Sequence, residues 1–99
     1  LEESLPDTDV LYMTRVQLER MANNDISSQQ AVAQGFVVTP ELMTLAKPRD
    51  MIVLHPLPRV GEICPSFDSD SRAAYFRQAE YGVYVRMALL ASLLAKRSV

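Results

Sequence analysis

An arginine and a glutamine stand at the end of a short apolar run, Val10-Leu-Tyr-Met-Thr-Arg-Val16 followed by Gln17. The run follows an acidic loop and reads as a buried parallel strand. Side chains alternate faces along a strand, so Arg15 and Gln17 share one face at its carboxyl end. An arginine there could clamp a carboxylate with two hydrogen bonds, and the glutamine could add an amide donor. Taken from the residues alone, a salt bridge from the same arginine to a neighbouring helix is the favoured reading. A second candidate is His55-Pro56-Leu57-Pro58-Arg59, directly after the apolar run Met51-Ile-Val-Leu54. Two prolines fix this backbone and cannot donate to a sheet ladder, so the chain must leave the strand here. One X-Pro bond in such a loop is a candidate for the cis form. The carbonyls of Pro56 and Leu57 could accept hydrogen bonds from an amino group, or the loop could be no more than a tight strand exit. His55 taken alone reads as a structural histidine.

The remaining stretches supply the elements that must hold these residues. Polar residues from about Leu18 to Gln34 are partly helical in expectation and end at Gly35. Phe36 to Val38 reads as a short extended piece. Thr39-Pro40-Glu41 is a helix start, with a capping threonine, a first-turn proline and an acidic residue at the positive dipole end. That helix is expected to run to about Ala46 and stop before Pro48. The residues from Gly61 to Asp70 form a turn-rich loop. Asp68, Ser69, Asp70 and Ser71 offer caps for a long helix from about Ser71 to Lys96. Tyr75, Phe76, Tyr84, Met87, Leu90 and Leu94 are expected to pack along it. Strand, helix, short segment, helix, strand and long helix make an α/β pattern with parallel strands. About forty residues separate the two strand ends, enough for a crossover that makes them neighbours. In open α/β sheets ligands bind beyond the carboxyl ends of strands, where both candidate motifs lie.

Composition narrows the classes further. The 99 residues are 48% apolar and 22% charged, with a formal net charge of −2. Scattered basic residues on a slightly acidic chain give no reason for a nucleic-acid or anionic-membrane partner. One cysteine, Cys64, cannot staple a disulfide scaffold, and it reads as structural. With one histidine as well, a zinc site is not expected. No signal peptide or membrane span is visible: Val83 to Leu94 is too short and is interrupted by Arg86. The first residue is Leu1 rather than methionine, so the sequence is expected to begin inside a longer polypeptide or to follow a removed segment.

Three stretches together resemble aspartate carbamoyltransferase: Asp9-Val-Leu-Tyr-Met-Thr-Arg-Val-Gln17, Met51-Ile-Val-Leu-His-Pro-Leu-Pro-Arg-Val60, and Asp68 to Leu90 with its Arg72-Ala-Ala-Tyr-Phe-Arg-Gln-Ala-Glu80 run. The sister ornithine family typically has cysteine after the loop histidine, where this chain has Pro56. The resemblance implies part of a doubly wound parallel-sheet aspartate-binding domain over residues 1–70. It implies a C-terminal helix over 71–99 that packs on a carbamoyl-phosphate domain absent from this sequence. It also implies that Arg15 binds an aspartate carboxylate with Gln17 assisting. Backbone groups of Pro56 and Leu57 would accept hydrogen bonds from the carbamoyl amino group or the aspartate amine, in a loop shaped by Pro58. The implied reaction joins the amine of L-aspartate to the carbonyl carbon of carbamoyl phosphate, in de novo pyrimidine biosynthesis, without metal or organic cofactor. A cytoplasmic homotrimer is implied, with a regulatory chain or fused domains as further partners that the resemblance allows. Catalytic residues are not expected in this chain: the family's serine-threonine-arginine-threonine turn is absent, so the chain alone is expected to be inactive. Gly61 stands where the family usually has an acidic or amide residue, and Tyr81 where asparagine is common. The competing reading is a non-catalytic module that binds a partner through the apolar Val83 to Leu94 face.

Overall fold

The computed structural model describes residues 1–15 and 35–95. The expected helical stretch from Leu18 to Gln34 lies outside the described residues, as does Gln17. Strand β1 spans Val10–Tyr12 and strand β2 spans Ile52–Leu54. They pair in parallel, Val10 with Ile52, Leu11 with Val53 and Tyr12 with Leu54. The two strands are therefore parallel neighbours, as expected. β1 is shorter than the sequence pattern suggests, although its pairing runs one residue further: the Met13 N–H donates to the Leu54 carbonyl at 2.9 Å. Beyond Met13 the chain turns off the sheet, and Arg15 follows the strand rather than ending it.

β2 is flanked on both sides. Opposite β1, the Val53 N–H donates to the Arg72 carbonyl at 2.8 Å, and the Ala74 N–H donates back to the Val53 carbonyl at 3.0 Å. This short parallel bridge explains where the long helix starts. Backbone bonds of Arg72 and Ala74 with Val53 hold this stretch against β2, with Ala73 in the bridge, so helix α1 spans Tyr75–Leu94, with Ala74 at its N-cap position and no side-chain cap. The expected caps Asp68 and Asp70 serve arginines instead. Asp70 receives Arg72 through Nε at 2.9 Å and Nη2 at 2.8 Å. Arg72 also donates to the carbonyls of Met43 and Lys47. It thereby ties the approach to α1 to the segment expected to be a helix up to Ala46. That segment is only a 3₁₀ turn, Leu42–Thr44, and the Thr39 hydroxyl oxygen accepts the Leu42 N–H at its start. The expected extended piece at Phe36 to Val38 contributes one residue, Val38, which bridges in parallel to Ile63.

Leu11 on β1 and Met13 just after it, with Met51, Val53 and His55 around β2, face the core. There they meet Leu5, Val38, Met43, Ile63, Phe67 and Tyr75. The opposite face carries Val10, Tyr12 and Ile52, which are 53%, 52% and 39% exposed. A near-continuous apolar strand predicts two covered faces, and here the second is only partly covered, by the first turns of α1. The long helix departs from expectation in the same way. Tyr75 is fully buried, but Phe76, Tyr84, Met87, Leu90 and Leu94 are each more than half exposed, because α1 runs on past the two paired strands found among the described residues. Among the described residues, no helix is long and apolar enough to cross a membrane.

Candidate functional site

The register of the sheet brings the two candidate motifs to one end. Tyr12 pairs with Leu54, so the chain leaving β1 toward Arg15 and the chain leaving β2 toward Pro56 depart side by side. Arg15 is exposed. Pro56 and Pro58 are exposed and Leu57 is half-buried.

The loop after β2 is held from inside. His55 is 1% exposed, and its backbone N–H donates to the Gln78 side-chain oxygen of α1 at 2.9 Å. Gln78 also donates to the Tyr12 hydroxyl at 3.2 Å, so one side chain of α1 reaches the ends of both strands. The Leu57 N–H donates to His55 Nδ1 at 2.8 Å. An N–H can only donate, so Nδ1 carries no proton and the imidazole proton sits on Nε2. Nε2 then donates to Glu62 Oε1 at 2.6 Å. Glu62 is itself buried. Burial pushes its carboxyl up, but N–H groups at Val60 and at Glu62 itself, with the His55 ring, outweigh burial and hold it below its ordinary value. The other carboxylate oxygen, Oε2, accepts the Val60 N–H at 2.9 Å. The bland reading of His55 as a structural histidine therefore describes its surroundings well.

Between these anchors the backbone is unusual. The Leu57–Pro58 peptide bond is cis, Leu57 has φ 46°, and Gly61 has φ 103°. A left-handed conformation costs an L-residue about 1–2 kcal/mol, so the Leu57 N–H bond to His55 offsets a real cost. It also settles what the loop can offer. Pro56 and Pro58 have no N–H, and the N–H of Leu57 is taken. Among the described residues, no donor reaches the carbonyls of Pro56 or Leu57. Residues 56–58 thus present acceptors without a free donor, which suits a group that carries N–H and disfavours an anion.

Arg59, the last residue of the motif, turns back instead. It grips Asp68 with both terminal nitrogens, Nη2 to Oδ2 at 2.7 Å and Nη1 to Oδ1. The Tyr75 hydroxyl donates to the same Oδ1 at 2.5 Å. The Arg59 guanidinium, more than burial, moves Asp68, holding its carboxyl down at about 2. Burial, with the Asp68 charge beside it, pushes the Tyr75 hydroxyl up to about 12. The guanidinium lies 5.6 Å from the Tyr75 ring centre and 5.8 Å from that of Phe76, within cation–π range. Glu62, Gln78 and the Arg59–Asp68 pair were not singled out by sequence. The spacing signals that exist, seven residues from His55 to Glu62 and nine from Arg59 to Asp68, belong to no general motif. Among the described residues, no group of three or more His, Cys, Asp or Glu side chains could hold a metal ion.

Residues 1–93 match the family model of the aspartate/ornithine carbamoyltransferase Asp/Orn-binding domain. The chain is 59% identical over 96 residues to the multifunctional protein CAD of Squalus acanthias, covering 97% of this chain and 4% of that protein. It is 53% identical over 94 residues to the aspartate carbamoyltransferase catalytic subunit of Clostridium botulinum, covering 95% of this chain and 30% of that one. Among solved structures, aspartate transcarbamoylase from Trypanosoma cruzi in complex with carbamoyl phosphate and aspartate superposes with a TM-score of 0.81 at 45% identity. That match covers 96% of this chain and 30% of the other. The chain spans about a third or less of the relatives it matches. The parallel pair and the long helix match part of the Asp/Orn-binding domain, and the chain belongs to the aspartate/ornithine carbamoyltransferase family.

Proposed function

We propose that this chain supplies the aspartate-binding part of an aspartate carbamoyltransferase active site, whose remainder lies outside these 99 residues. The observation that carries the reading is the acceptor-only loop at Pro56 and Leu57, standing at the same sheet end as Arg15. A cation and a row of fixed carbonyls are what an amino-dicarboxylate and a carbamoyl group require together. The relative from Trypanosoma cruzi bound to carbamoyl phosphate and aspartate supports the same substrates. In this reading Arg15 clamps a carboxylate of L-aspartate and Gln17 assists. The carbonyls of Pro56 and Leu57 accept hydrogens from the carbamoyl NH₂ or the attacking amine, and Pro58 shapes the turn. The amine nitrogen bonds to the carbonyl carbon of carbamoyl phosphate, the carbon–oxygen bond to phosphate breaks, and the amine loses a proton. The residues here contribute positioning, and no organic cofactor enters the step.

Residues 1–70 then form the C-terminal part of the aspartate-binding domain. Helix α1, within 71–99, would cover its exposed apolar side on the carbamoyl-phosphate domain, in a cytoplasmic homotrimer to which regulatory or fused domains can attach. The exposure of Leu89, Leu90, Leu93 and Leu94 supports that burial. The same exposure also favours the second reading, a non-catalytic module that docks through this face. Assaying the complete gene product for carbamoyl-aspartate separates them. Product formation with aspartate and not with ornithine is expected, and no turnover with either amine sinks the enzyme reading.

A further inference from the structure

The loop's acceptor-only character depends on one imidazole nitrogen. We propose that His55 and Glu62 act together as positioning residues for the substrate loop, Glu62 selecting the His55 tautomer whose Nδ1 takes the Leu57 N–H. This inference rests on the reading of that loop as substrate-binding. Glu62 offers only acceptor oxygens to the ring, so the ring must turn a protonated Nε2 toward it, at 2.6 Å. The ring's second nitrogen is then an acceptor, placed 2.8 Å from the Leu57 nitrogen. That bond fixes Leu57 at its positive φ of 46° and removes the one N–H that residues 56–58 could have offered to a ligand. The opposite tautomer would leave Nδ1–H facing Leu57 N–H, donor against donor. The loop would have to open, and a free N–H would stand where the substrate's own N–H groups must bind. Neither His55 nor Glu62 need touch substrate, and both are buried. Their arrangement parallels the way an outer carboxylate fixes a histidine's tautomer in catalytic and metal sites, here applied to a backbone amide.

The test divides the imidazole into its two halves. His55→Asn places an amide oxygen near the position of Nδ1, keeping the acceptor for Leu57 and giving up Glu62. His55→Gln reaches toward the position of Nε2, keeping a donor to Glu62 and offering Leu57 nothing. In the complete gene product, His55→Gln is expected to raise the aspartate KM roughly ten-fold, while His55→Asn stays within roughly three-fold of wild type. Both variants lose thermal stability, so a purely structural role would move the two together. Equal KM values in the two variants, whether both normal or both raised in step with lost stability, overturn the proposal. Should either variant fail to fold, the ring nitrogens of His55 in the ¹⁵N-histidine-labelled wild-type protein decide. An unprotonated Nδ1 with a protonated Nε2 is expected, and the reverse assignment overturns it. Absence of carbamoyl-aspartate formation by the wild-type protein would instead count against the proposed function, and the tautomer would still be read.

Discussion

Arg59 and Asp68 face each other as a two-pronged ion pair across the loop that joins the Pro56–Pro58 turn to helix α1, with Nη2 and Oδ2 2.7 Å apart. Tyr75, the first residue of α1, donates its hydroxyl to the same carboxylate. The pair therefore ties the candidate substrate loop to the start of the helix. Asp68→Asn should destabilise the complete gene product by about 1–2 kcal/mol at neutral pH, since one partner of a partly buried charge-assisted pair is lost. Asp68 has a depressed folded-state pKa, so its contribution is present above the ordinary carboxyl value of 3.8 and is lost as pH falls toward about 2. Thermal midpoints of wild type and variant measured down that range should converge. A gap that persists at the acid end would contradict the assignment.

Arg72 is the corresponding tie on the other side of the helix start. It holds Asp70 and the carbonyls of Met43 and Lys47 at once. Arg72→Met should cost about 2–3 kcal/mol, because three partly buried acceptors lose a donor. Arg72→Lys should recover less than half of this, since a single ammonium cannot reproduce the fork. Chemical denaturation midpoints check it, and equal stability of the lysine variant and wild type would show that the fork geometry is unimportant.

Gly61 follows the loop at φ 103°, a conformation that side chains rarely adopt, yet nothing lies within 4 Å of where its Cβ would stand. The cost of a side chain there is backbone strain and not collision. Gly61→Ala should destabilise by about 1–2 kcal/mol, and Gly61→Asn by less, because asparagine tolerates positive φ better than alanine. An alanine variant as stable as wild type would rule the strain out.

The two strands, their parallel pairing and the long helix were legible in the sequence because apolar runs and their spacing encode them locally. The helix start was not. Asp68 to Ser71 look like caps in one dimension, but Arg59 and Arg72 claim the two carboxylates, and backbone bonds tie Arg72 and Ala74 to β2. The extent of the core was overestimated for a similar reason. Tyr84, Met87, Leu90 and Leu94 have the apolar character of packing residues, but no other described element lies beneath them. Arg15 and Pro56 to Pro58 stand out as candidates in the sequence because their chemistry is in their residue types. Glu62 and Gln78 act through folding that only the structure reveals.

Leu90 tests what covers α1. It is 58% exposed in this chain. If the helix packs on another domain in the complete gene product, Leu90→Glu should cost about 2–3 kcal/mol or abolish assembly, because a buried leucine is replaced by an unpaired charge. A variant with unchanged thermal midpoint and native mass would leave the helix face uncovered in the working protein.

The most direct test of the central claim is the aspartate KM of Arg15→Ala in the complete gene product. Loss of a two-pronged carboxylate clamp is expected to raise that KM about 10- to 100-fold. The carbamoyl phosphate KM should change little. An aspartate KM equal to that of wild type would mean that Arg15 does not hold the substrate carboxylate, and would contradict the placement of the aspartate site at this end of the sheet.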